Sequence, residues 1–283
     1  PNVKFIQSIK CYPSVLDVPD EIDLAVIVVP KEIAVDAVEE CGKKGVKGII
    51  MITAGFREVG GAGIEREERL KQIIQKYGMR MVGPNCMGVI NTDPQYRMDA
   101  TFAPSHPLEG NVGFLSQSGA LGAAILDYAL DLNLGFSMFV SMGNKVDVSG
   151  NALLEYWEDD ERTKVILLYL ESFGNPLRFT KLAREIVKKK PIIAVKSGRT
   201  RAGARAASSH TGALAGLDVG TNALFEQCGV LRVNTVEELF DLATAFSKQP
   251  IPKGNRVAVL TNAGGPGILA TDAIVNLGLQ MAA

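Results

Sequence analysis

Short apolar runs alternate with longer helical patterns along almost the whole chain, and this alternation limits the folds that the chain can adopt. Leu24–Val29, Gly48–Thr53 and Val165–Leu170 are such runs, and none of them alternates apolar with polar residues. Apolar strands of this kind, separated by helices, form parallel sheets that are covered on both faces. The sequence therefore predicts an α/β chain built from doubly wound parallel sheets.

Two proline-containing segments interrupt this pattern and are predicted to be linkers. They are Asp93–Glu109, with three prolines, and Gln249–Asn255, with two. They divide the 283 residues into the regions 1–105, 106–248 and 249–283. The first region has only three clear strands, and the third has a single strand and helix, which cannot bury a core. We therefore expect both to be incomplete domains, with Pro1 at a processed or cut end.

Charge and cysteine content argue against several classes of partner. Thirty basic and 31 acidic residues leave a net charge of −1, so neither a nucleic-acid footprint nor a membrane-attracting patch is expected. No apolar run reaches about 18 residues, and no signal peptide is visible. The four cysteines show no CxxC spacing, which indicates reduced thiols rather than disulfides or a zinc site. We predict a cytoplasmic protein with no metal site of its own.

His210 lies in the most unusual segment of the chain. The 17 residues of Arg199–Ala215 include ten Gly, Ala or Ser residues and three arginines, and Leu214 is their one bulky apolar residue. Such a segment predicts a mobile loop rather than a strand or a helix. An imidazole is both a neutral nucleophile and a good leaving group near neutral pH, so His210 suits a group carrier. The alternative is a surface histidine in a loop of small residues.

Two further motifs place polar groups where strands end. Val112–Gly122 is typical of a strand, a tight turn and a helix, and the open N–H groups of such a helix start attract anions. Ser116 and Ser118 can add hydroxyl donors, although a serine N-cap beside a closely packed glycine explains the same pattern. Glu171 ends the strand Val165–Leu170 and can orient an imidazole; alternatively, it is a solvated strand-end carboxylate.

Three strand ends in the first region are expected to line a cleft for a nucleotide-like ligand. They are Ala25–Pro30, Ile52–Glu58 and Gly83–Gly88. Open α/β sheets bind their ligands at the carboxyl ends of strands. Glycine and proline often mark only a chain turn, however, so each segment alone is also explained without a ligand.

Taken together and in this order, the motifs resemble those of the NDP-forming acyl-CoA synthetases, the ADP-forming acetate–CoA ligase group related to succinyl-CoA synthetase. The resemblance extends over essentially all 283 residues and is carried by Cys11–Val15, Val29-Pro30, Ile52–Glu58, Gly83–Gly88, Ser116–Gly122, Glu171, Ser208–Gly216 and Asn262–Gly267. It implies a Rossmann-like CoA-binding domain at 1–105 that lacks its N-terminal part. It further implies a flavodoxin-like phosphohistidine domain at 106–248 and the start of a second flavodoxin-like domain at 249–283.

The resemblance also implies roles for individual residues. His210 matches the histidine that is transiently phosphorylated, and Glu171 matches the carboxylate that orients it. The residues that match the phosphate site are Ser116, Ser118, Gly119, Ala120, Gly143 and Asn144. The residues in the CoA-contacting segments are Pro30, Lys31, Ile52, Ala54, Gly55 and Asn85.

The reaction of this family interconverts acyl-CoA, phosphate and ADP with a carboxylic acid, CoA and ATP, through an acyl phosphate and a phosphohistidine. The resemblance therefore implies an oligomer that includes an ATP-grasp unit, where ATP or ADP binds with Mg2+, outside this sequence. The alternative is a non-catalytic CoA-sensing module, such as those fused to lysine acetyltransferases. The intact motif around His210 favours catalysis. An FMN-binding flavodoxin is disfavoured because the sequence lacks paired aromatic residues to hold the flavin.

Overall fold

The computed structural model describes residues 3–200, 203 and 218–282. The chain divides into two compact units, Pro1–Ser247 and Lys248–Ala283. Among the described residues, no helix is both long and apolar enough to cross a membrane. Most of the predicted loop Arg199–Ala215, including His210, lies outside the described residues, which include only Arg199, Thr200 and Gly203 of it.

A small parallel sheet forms the N-terminal part of the first unit. It is preceded by an antiparallel pair, Phe5–Ile6 (β1) and Ile9–Lys10 (β2). The sheet itself consists of Leu24–Ile27 (β3), Gly48–Met51 (β4) and Arg80–Val82 (β5), in that order. Two helices connect its strands, Lys31–Lys44 (α1) and Ala62–Tyr77 (α2).

The sequence determines where α1 begins, which face it buries and where it ends. It begins after Pro30, and Ala34 and Val38, four residues apart on one face, are fully buried in the core of the small sheet. It ends at Gly45, whose φ of 90° lies in the left-handed region that glycine adopts without a steric penalty.

A larger sheet forms the rest of the first unit. Among the described residues its strands are Gly88–Asn91 (β6), Met98–Thr101 (β7), Glu109–Ser116 (β8), Phe136–Ser141 (β9), Val165–Leu170 (β10), Ile192–Lys196 (β11) and Leu231–Val233 (β12). Their spatial order is β12-β11-β10-β8-β9-β6-β7. The strands from β8 to β12 pair in parallel, whereas β6 and β7 add an antiparallel edge. The accompanying helices are Gly119–Asp131 (α3), Gly150–Asp159 (α4), Pro176–Ile186 (α5), Asp218–Cys228 (α6) and Val236–Lys248 (α7).

Both faces of the larger sheet are buried. Phe114 and Leu115 are neighbours in β8, and both are fully buried, yet they belong to different core clusters. Phe114 packs with Phe240 of α7 on one face, and Leu115 shares the other cluster with Trp157 of α4. This burial explains why the strands are continuously apolar. The prediction of a doubly wound α/β fold is confirmed.

The segment predicted as the first linker contains a strand. Residues Asp93–Glu109 include β7, which pairs with β6 at the edge of the larger sheet. Polar Asp99 and Thr101 occupy this partly exposed edge strand, so the apolar pattern gave no signal. Gly88 in β6 has a φ of 122°, and a β-carbon there would lie 2.0 Å from the carbonyl oxygen of Ala100. Only glycine allows the two strands to approach in this way.

The second unit is small. Arg256–Val257 (β13) and Gln280–Met281 (β14) form a parallel pair, and Gly264–Asn276 (α8) connects them. The apolar run Arg256–Thr261 was expected from the sequence to form one strand, but only its first two residues do. The turn after β13 is closed by Thr261, whose Oγ1 accepts a hydrogen bond of 3.0 Å from the amide of Ala263 at the start of α8.

Replacing Phe114 with alanine is expected to destabilise the larger sheet. Its ring lies 6.0, 5.5 and 6.4 Å from the ring centroids of Phe136, Phe139 and Phe240. Truncating a fully buried aromatic side chain leaves a cavity and costs roughly 3–5 kcal/mol, which we expect as a lowered midpoint of urea unfolding. Leu177→Ala, at a position that is 83% exposed, is the control, with an expected change below about 0.5 kcal/mol. Equal midpoints for the two variants would contradict this packing.

Candidate functional site

A cavity of about 670 Å³ lies in the first unit, where several parallel strands reach their carboxyl ends. Its walls follow strands β4, β5, β8, β9 and β10, so both sheets contribute. Ligands of open α/β folds bind at this edge of the sheet. The lining residues are Ile52, Arg57, Glu58, Asn85, Cys86, Met87, Phe102, Gln117, Ser118, Gly119, Ala120, Gly143, Asn144, Lys145, Glu171 and Ser172.

The turn between β8 and α3 forms one wall. Ser118 is the N-cap of α3, and its Oγ accepts a hydrogen bond of 3.3 Å from the amide of Leu121. Ser116 is fully buried beneath the turn; its hydroxyl donates to the carbonyl of Ser118 and accepts from the Ser118 amide. Gly119 and Ala120 line the cavity in the first turn of the helix, where amide N–H groups have no intrahelical partner. The Ser116 hydroxyl thus fixes the backbone of Ser118, the residue before the first turn of α3.

Glu171 follows the last residue of β10 and lines the same cavity. The side chain of Gln117 holds the backbone at this point: Oε1 accepts the amides of Glu171 and Ser172 at 2.8 and 2.9 Å, and Nε2 donates to the Ser172 carbonyl at 2.8 Å. The backbone ladder between β8 and β10 ends one step earlier, where the Gln117 amide donates to the carbonyl of Tyr169. The Gln117 carboxamide therefore continues the ladder in place of a peptide group.

The loop after β9 forms the opposite wall and rests on the loop after β5. Gly143 has a φ of 55°, and a β-carbon there would lie 2.1 Å from the carbonyl oxygen of Pro84. The amide of Asn144 donates to the same carbonyl at 2.9 Å. The Asn144 carboxamide donates to Glu58 at 2.6 Å and to Glu67 at 2.9 Å. These contacts connect the larger sheet with loops and a helix of the smaller sheet.

Glu58 is held as a carboxylate. Burial raises its pKa, but hydrogen bonds from Asn144 and from the amides of Gly55 and Phe56 outweigh burial, so that the pKa lies below its usual value. Glu67 is almost fully buried, and its Oε1 accepts a hydrogen bond of 2.5 Å from Nε of Arg57. Both glutamates therefore act as hydrogen-bond acceptors that organise the cavity wall.

Lys145 brings a cation to the cavity. The residue has a φ of 62°, and its Nζ donates a hydrogen bond of 2.8 Å to Oγ of Ser172. Burial lowers the pKa of Lys145, and the charge of Glu171 only partly offsets this effect.

Cys86 also lines the cavity, where burial disfavours its thiolate. Its Sγ donates to the carbonyl of Met51 at 3.3 Å, and the residue is 4% exposed. Burial raises the pKa of the thiol to about 12. Because a thiolate rather than a thiol is the nucleophile, Cys86 stays protonated and does not compete for electrophiles near neutral pH.

The structure brings most of the predicted phosphate-site residues together with Glu171. Ser118, Gly119, Ala120, Gly143 and Asn144 all line the one cavity. Among the predicted CoA-contacting residues, Ile52 and Asn85 line it too, whereas four lie beside it at the ends of β3 and β4. These four are Pro30, Lys31, Ala54 and Gly55.

The residues beside the cavity form a compact corner. Pro30 and Lys31 open α1, and a β-carbon on Gly55 would meet the Lys31 side chain at 2.4 Å. Asn85 has a φ of 58°, and its backbone amide donates a hydrogen bond of 3.1 Å to the carbonyl of Thr53. The strand-end segments of the small sheet thus meet, as their positions predicted.

Several lining residues were not singled out individually from the sequence, although four of them lie in the segments Ile52–Glu58 and Gly83–Gly88 that were expected to line a cleft. They are Arg57, Glu58, Cys86, Met87, Phe102, Gln117, Lys145 and Ser172. Gln117 lies inside the motif Ser116–Gly122, and Lys145 directly follows the Gly143-Asn144 turn. Their proximity to these motifs was therefore the one sequence feature that could have indicated them as site residues. Among the residues that the structure describes, no group of three His, Cys, Asp or Glu side chains is placed to hold a metal ion.

Two family models match the chain. The succinyl-CoA ligase-like flavodoxin domain matches residues 109–246, and a CoA binding domain matches residues 1–92. The cavity is lined from both matched ranges, with Ile52 and Asn85 in the second and Ser118, Asn144 and Glu171 in the first.

Curated relatives match over nearly the full chain. An ADP-forming acetate–CoA ligase of Methanocaldococcus jannaschii is 52% identical over 281 residues, which are 99% of this chain and 39% of that protein. The alpha subunit 2 of an ADP-forming succinate–CoA ligase of Archaeoglobus fulgidus is 30% identical over 222 residues, 76% of this chain and 73% of that subunit. The chain thus spans well under half of the first relative and most of the second.

A solved structure has the same fold throughout. It is the dinucleotide-forming acetyl-coenzyme A synthetase 1 of Candidatus Korarchaeum cryptofilum, in complex with phosphate and ADP. It superimposes with a TM-score of 0.93 at 44% identity, covering all of this chain and 60% of that one. The matched models, the relatives and this structure agree with the motifs around the cavity, and the chain therefore belongs to the NDP-forming acyl-CoA synthetase family, which is related to succinyl-CoA synthetase.

Proposed function

We propose that this chain is the CoA-binding and phosphohistidine part of an acyl-CoA synthetase of the ADP-forming acetate–CoA ligase type. The whole enzyme would interconvert acyl-CoA, phosphate and ADP with a carboxylic acid, CoA and ATP. The observation that carries the proposal is the single cavity, which joins the start of α3, the Gly143–Lys145 loop and Glu171 with Ile52 and Asn85. Most residues predicted to bind phosphate and two of those predicted to contact CoA thus line the same cavity, which supports the proposal.

The first step proposed in this cavity is attack of phosphate on the thioester carbonyl. A phosphate oxygen bonds to the acyl carbon, the carbon–sulfur bond breaks, and CoA leaves as its thiol after taking up a proton. Amides of Gly119 and Ala120 are suited to hold the phosphate, because a helix start attracts anions. Ile52, Asn85 and the corner of Pro30, Lys31, Ala54 and Gly55 are suited to hold CoA.

The second step transfers the phosphoryl group to His210. A neutral imidazole nitrogen attacks the phosphorus of the acyl phosphate, the phosphorus–oxygen bond to the acyl group breaks, and the carboxylate leaves. Such a transfer needs positioning and charge stabilisation more than covalent help from the protein. Glu171, with its backbone held by Gln117, is suited to accept a hydrogen bond from the other ring nitrogen.

The third step lies outside this chain. Phosphohistidine passes its phosphoryl group to ADP, and the proposed acceptor site is an ATP-grasp domain or subunit that holds the nucleotide and Mg2+. The corresponding domain limits, 1–105, 106–248 and 249–283, and the oligomeric assembly belong to the same proposal. The reduced cysteines, of which Cys41, Cys86 and Cys228 are buried and unpaired, fit a cytoplasmic site of action.

His210 is expected to be phosphorylated when the chain is mixed with ATP, Mg2+ and an ATP-grasp partner from a relative. The label should be acid-labile and base-stable, as a phosphorus–nitrogen bond is. Intact-mass measurement should detect it in the wild type and in His106→Ala, which removes the only other histidine, but not in His210→Ala. Equal labelling of His210→Ala and the wild type would overturn the assignment.

Glu171→Gln is expected to slow phosphorylation by about 10²-fold, the range for a positioned acid–base partner. The exchange keeps size and one acceptor oxygen but removes the charge that stabilises the imidazole. Rapid-quench measurement of the phosphoenzyme gives the rate, and the urea midpoint of the variant checks its fold. A folded Glu171→Gln protein with wild-type kinetics would show that Glu171 is only a strand-end carboxylate.

A further inference from the structure

Lys145 is placed in the cavity by its neighbours in the chain. On one side, Gly143 and Asn144 rest on the carbonyl of Pro84, and on the other the amide of Val146 donates to the carbonyl of Gly83 at 3.2 Å. Between these anchors Lys145 adopts a φ of 62°, in a region that side-chain-bearing residues rarely occupy. The anchored loop therefore directs this residue, and its side chain lines the cavity.

The partner of the ammonium group is fixed as well. Its Nζ lies 2.8 Å from Oγ of Ser172. The backbone of Ser172 is held at both its amide and its carbonyl by the Gln117 carboxamide, at 2.9 and 2.8 Å. The backbone on either side of Lys145 and the Ser172 residue that its ammonium contacts are both held by hydrogen bonds. The charge of Lys145 therefore has a defined position.

Lys145 differs from the other cation on the cavity wall. Arg57 is held by buried Glu67 through a 2.5 Å contact, whereas among the described residues no carboxylate oxygen lies within 4.0 Å of Nζ of Lys145. The charge of Glu171 acts on Lys145 without a contact of that length, and the carboxylate of Glu58 is engaged by Asn144 and by backbone amides. A half-buried ammonium without a carboxylate in contact attracts an anion from solution.

We infer that Lys145 is a phosphate-binding residue: its ammonium contacts an oxygen of inorganic phosphate, and of the acyl phosphate that forms from it. The inference rests on the proposed function of the cavity and extends it to a residue outside the Gly143-Asn144 turn. The charge offsets the negative charge of the phosphoryl oxygens during attack on the thioester and during transfer to His210. Lys145 transfers no proton in either step.

Titration of inorganic phosphate into the chain by calorimetry tests this directly. Lys145→Met is expected to weaken phosphate binding by about tenfold or more, because it removes a charge-assisted hydrogen bond. Lys145→Arg should restore most of the affinity, since it keeps the charge. Lys181→Met, at an exposed position, is the matched control and should bind like the wild type. Wild-type affinity in a folded Lys145→Met protein would overturn the inference.

The pH dependence supplies a readout that a purely structural lysine would not change. Because burial lowers the pKa of Lys145, wild-type phosphate affinity should fall with rising pH before the usual lysine pKa of about 10.4 is reached. The other titratable groups on the cavity wall are Arg57, Glu58, Cys86 and Glu171. Hydrogen bonds hold the pKa of Glu58 below its usual value, and the Cys86 pKa of about 12 lies above this range. Lys145→Arg should hold its affinity over the same range, and a parallel fall in both proteins would count against Lys145.

Kinetics with an added ATP-grasp partner separate the inference from the proposed function. In the direction of ATP formation, Lys145→Met should raise the KM for phosphate about tenfold while the KM for ADP stays unchanged. If the wild type consumes acetyl-CoA and the variant keeps the wild-type KM for phosphate, the Lys145 inference fails and the function stands. If the wild type shows no turnover but loses phosphate binding through Lys145→Met, the proposed function fails and the anion site stands.

Discussion

The parallel pairing of β8 with β9 and β10 is the interaction on which the candidate site depends. In this register Ser116 lies opposite both Ser141 and Tyr169, so three strands end at the same level. The segments that follow must then leave the sheet side by side: the start of α3, the Gly143–Lys145 loop and the Glu171-Ser172 step. Burial on both faces fixes the register, because a shift by one residue would exchange the residues of the two core clusters.

A polar connection between the two sheets completes the cavity. Asn144 extends from the larger sheet and donates to Glu58 and Glu67, which belong to segments following β4 of the smaller sheet. A carboxamide can donate two hydrogen bonds to two carboxylates without adding charge. Two glutamates, Glu58 on the cavity wall and Glu67 behind it, therefore share one carboxamide, and the Arg57 guanidinium on Glu67 balances part of their charge. Packing of apolar residues alone would bring the sheets together but would not orient these loops.

The sequence predicted the strands that pair in parallel in the two sheets and several segments that line the cavity. These followed from buried runs of residues and from glycine-containing turns, since strand ends meet at one edge whatever their side chains. Gln117 and Lys145 could not be predicted in the same way, because their partners lie 55 and 27 residues away in the chain. No spacing rule connects residues so far apart. Strand β7 was missed because its polar edge resembles a loop, and the role of His210 rests on sequence motifs alone.

The buried thiol of Cys86 has a consequence for any thioester chemistry at this edge of the sheets. A cysteine that ionised there would exchange acyl groups with a bound thioester by transthioesterification and would trap the acyl group on the protein. Burial, which raises the pKa of the thiol, keeps the sulfur protonated. Under the proposed function, a cysteine can thus lie beside an activated acyl group without forming a dead-end acyl-enzyme. The same protonation slows oxidation of the sulfur, because oxidants also react with the thiolate.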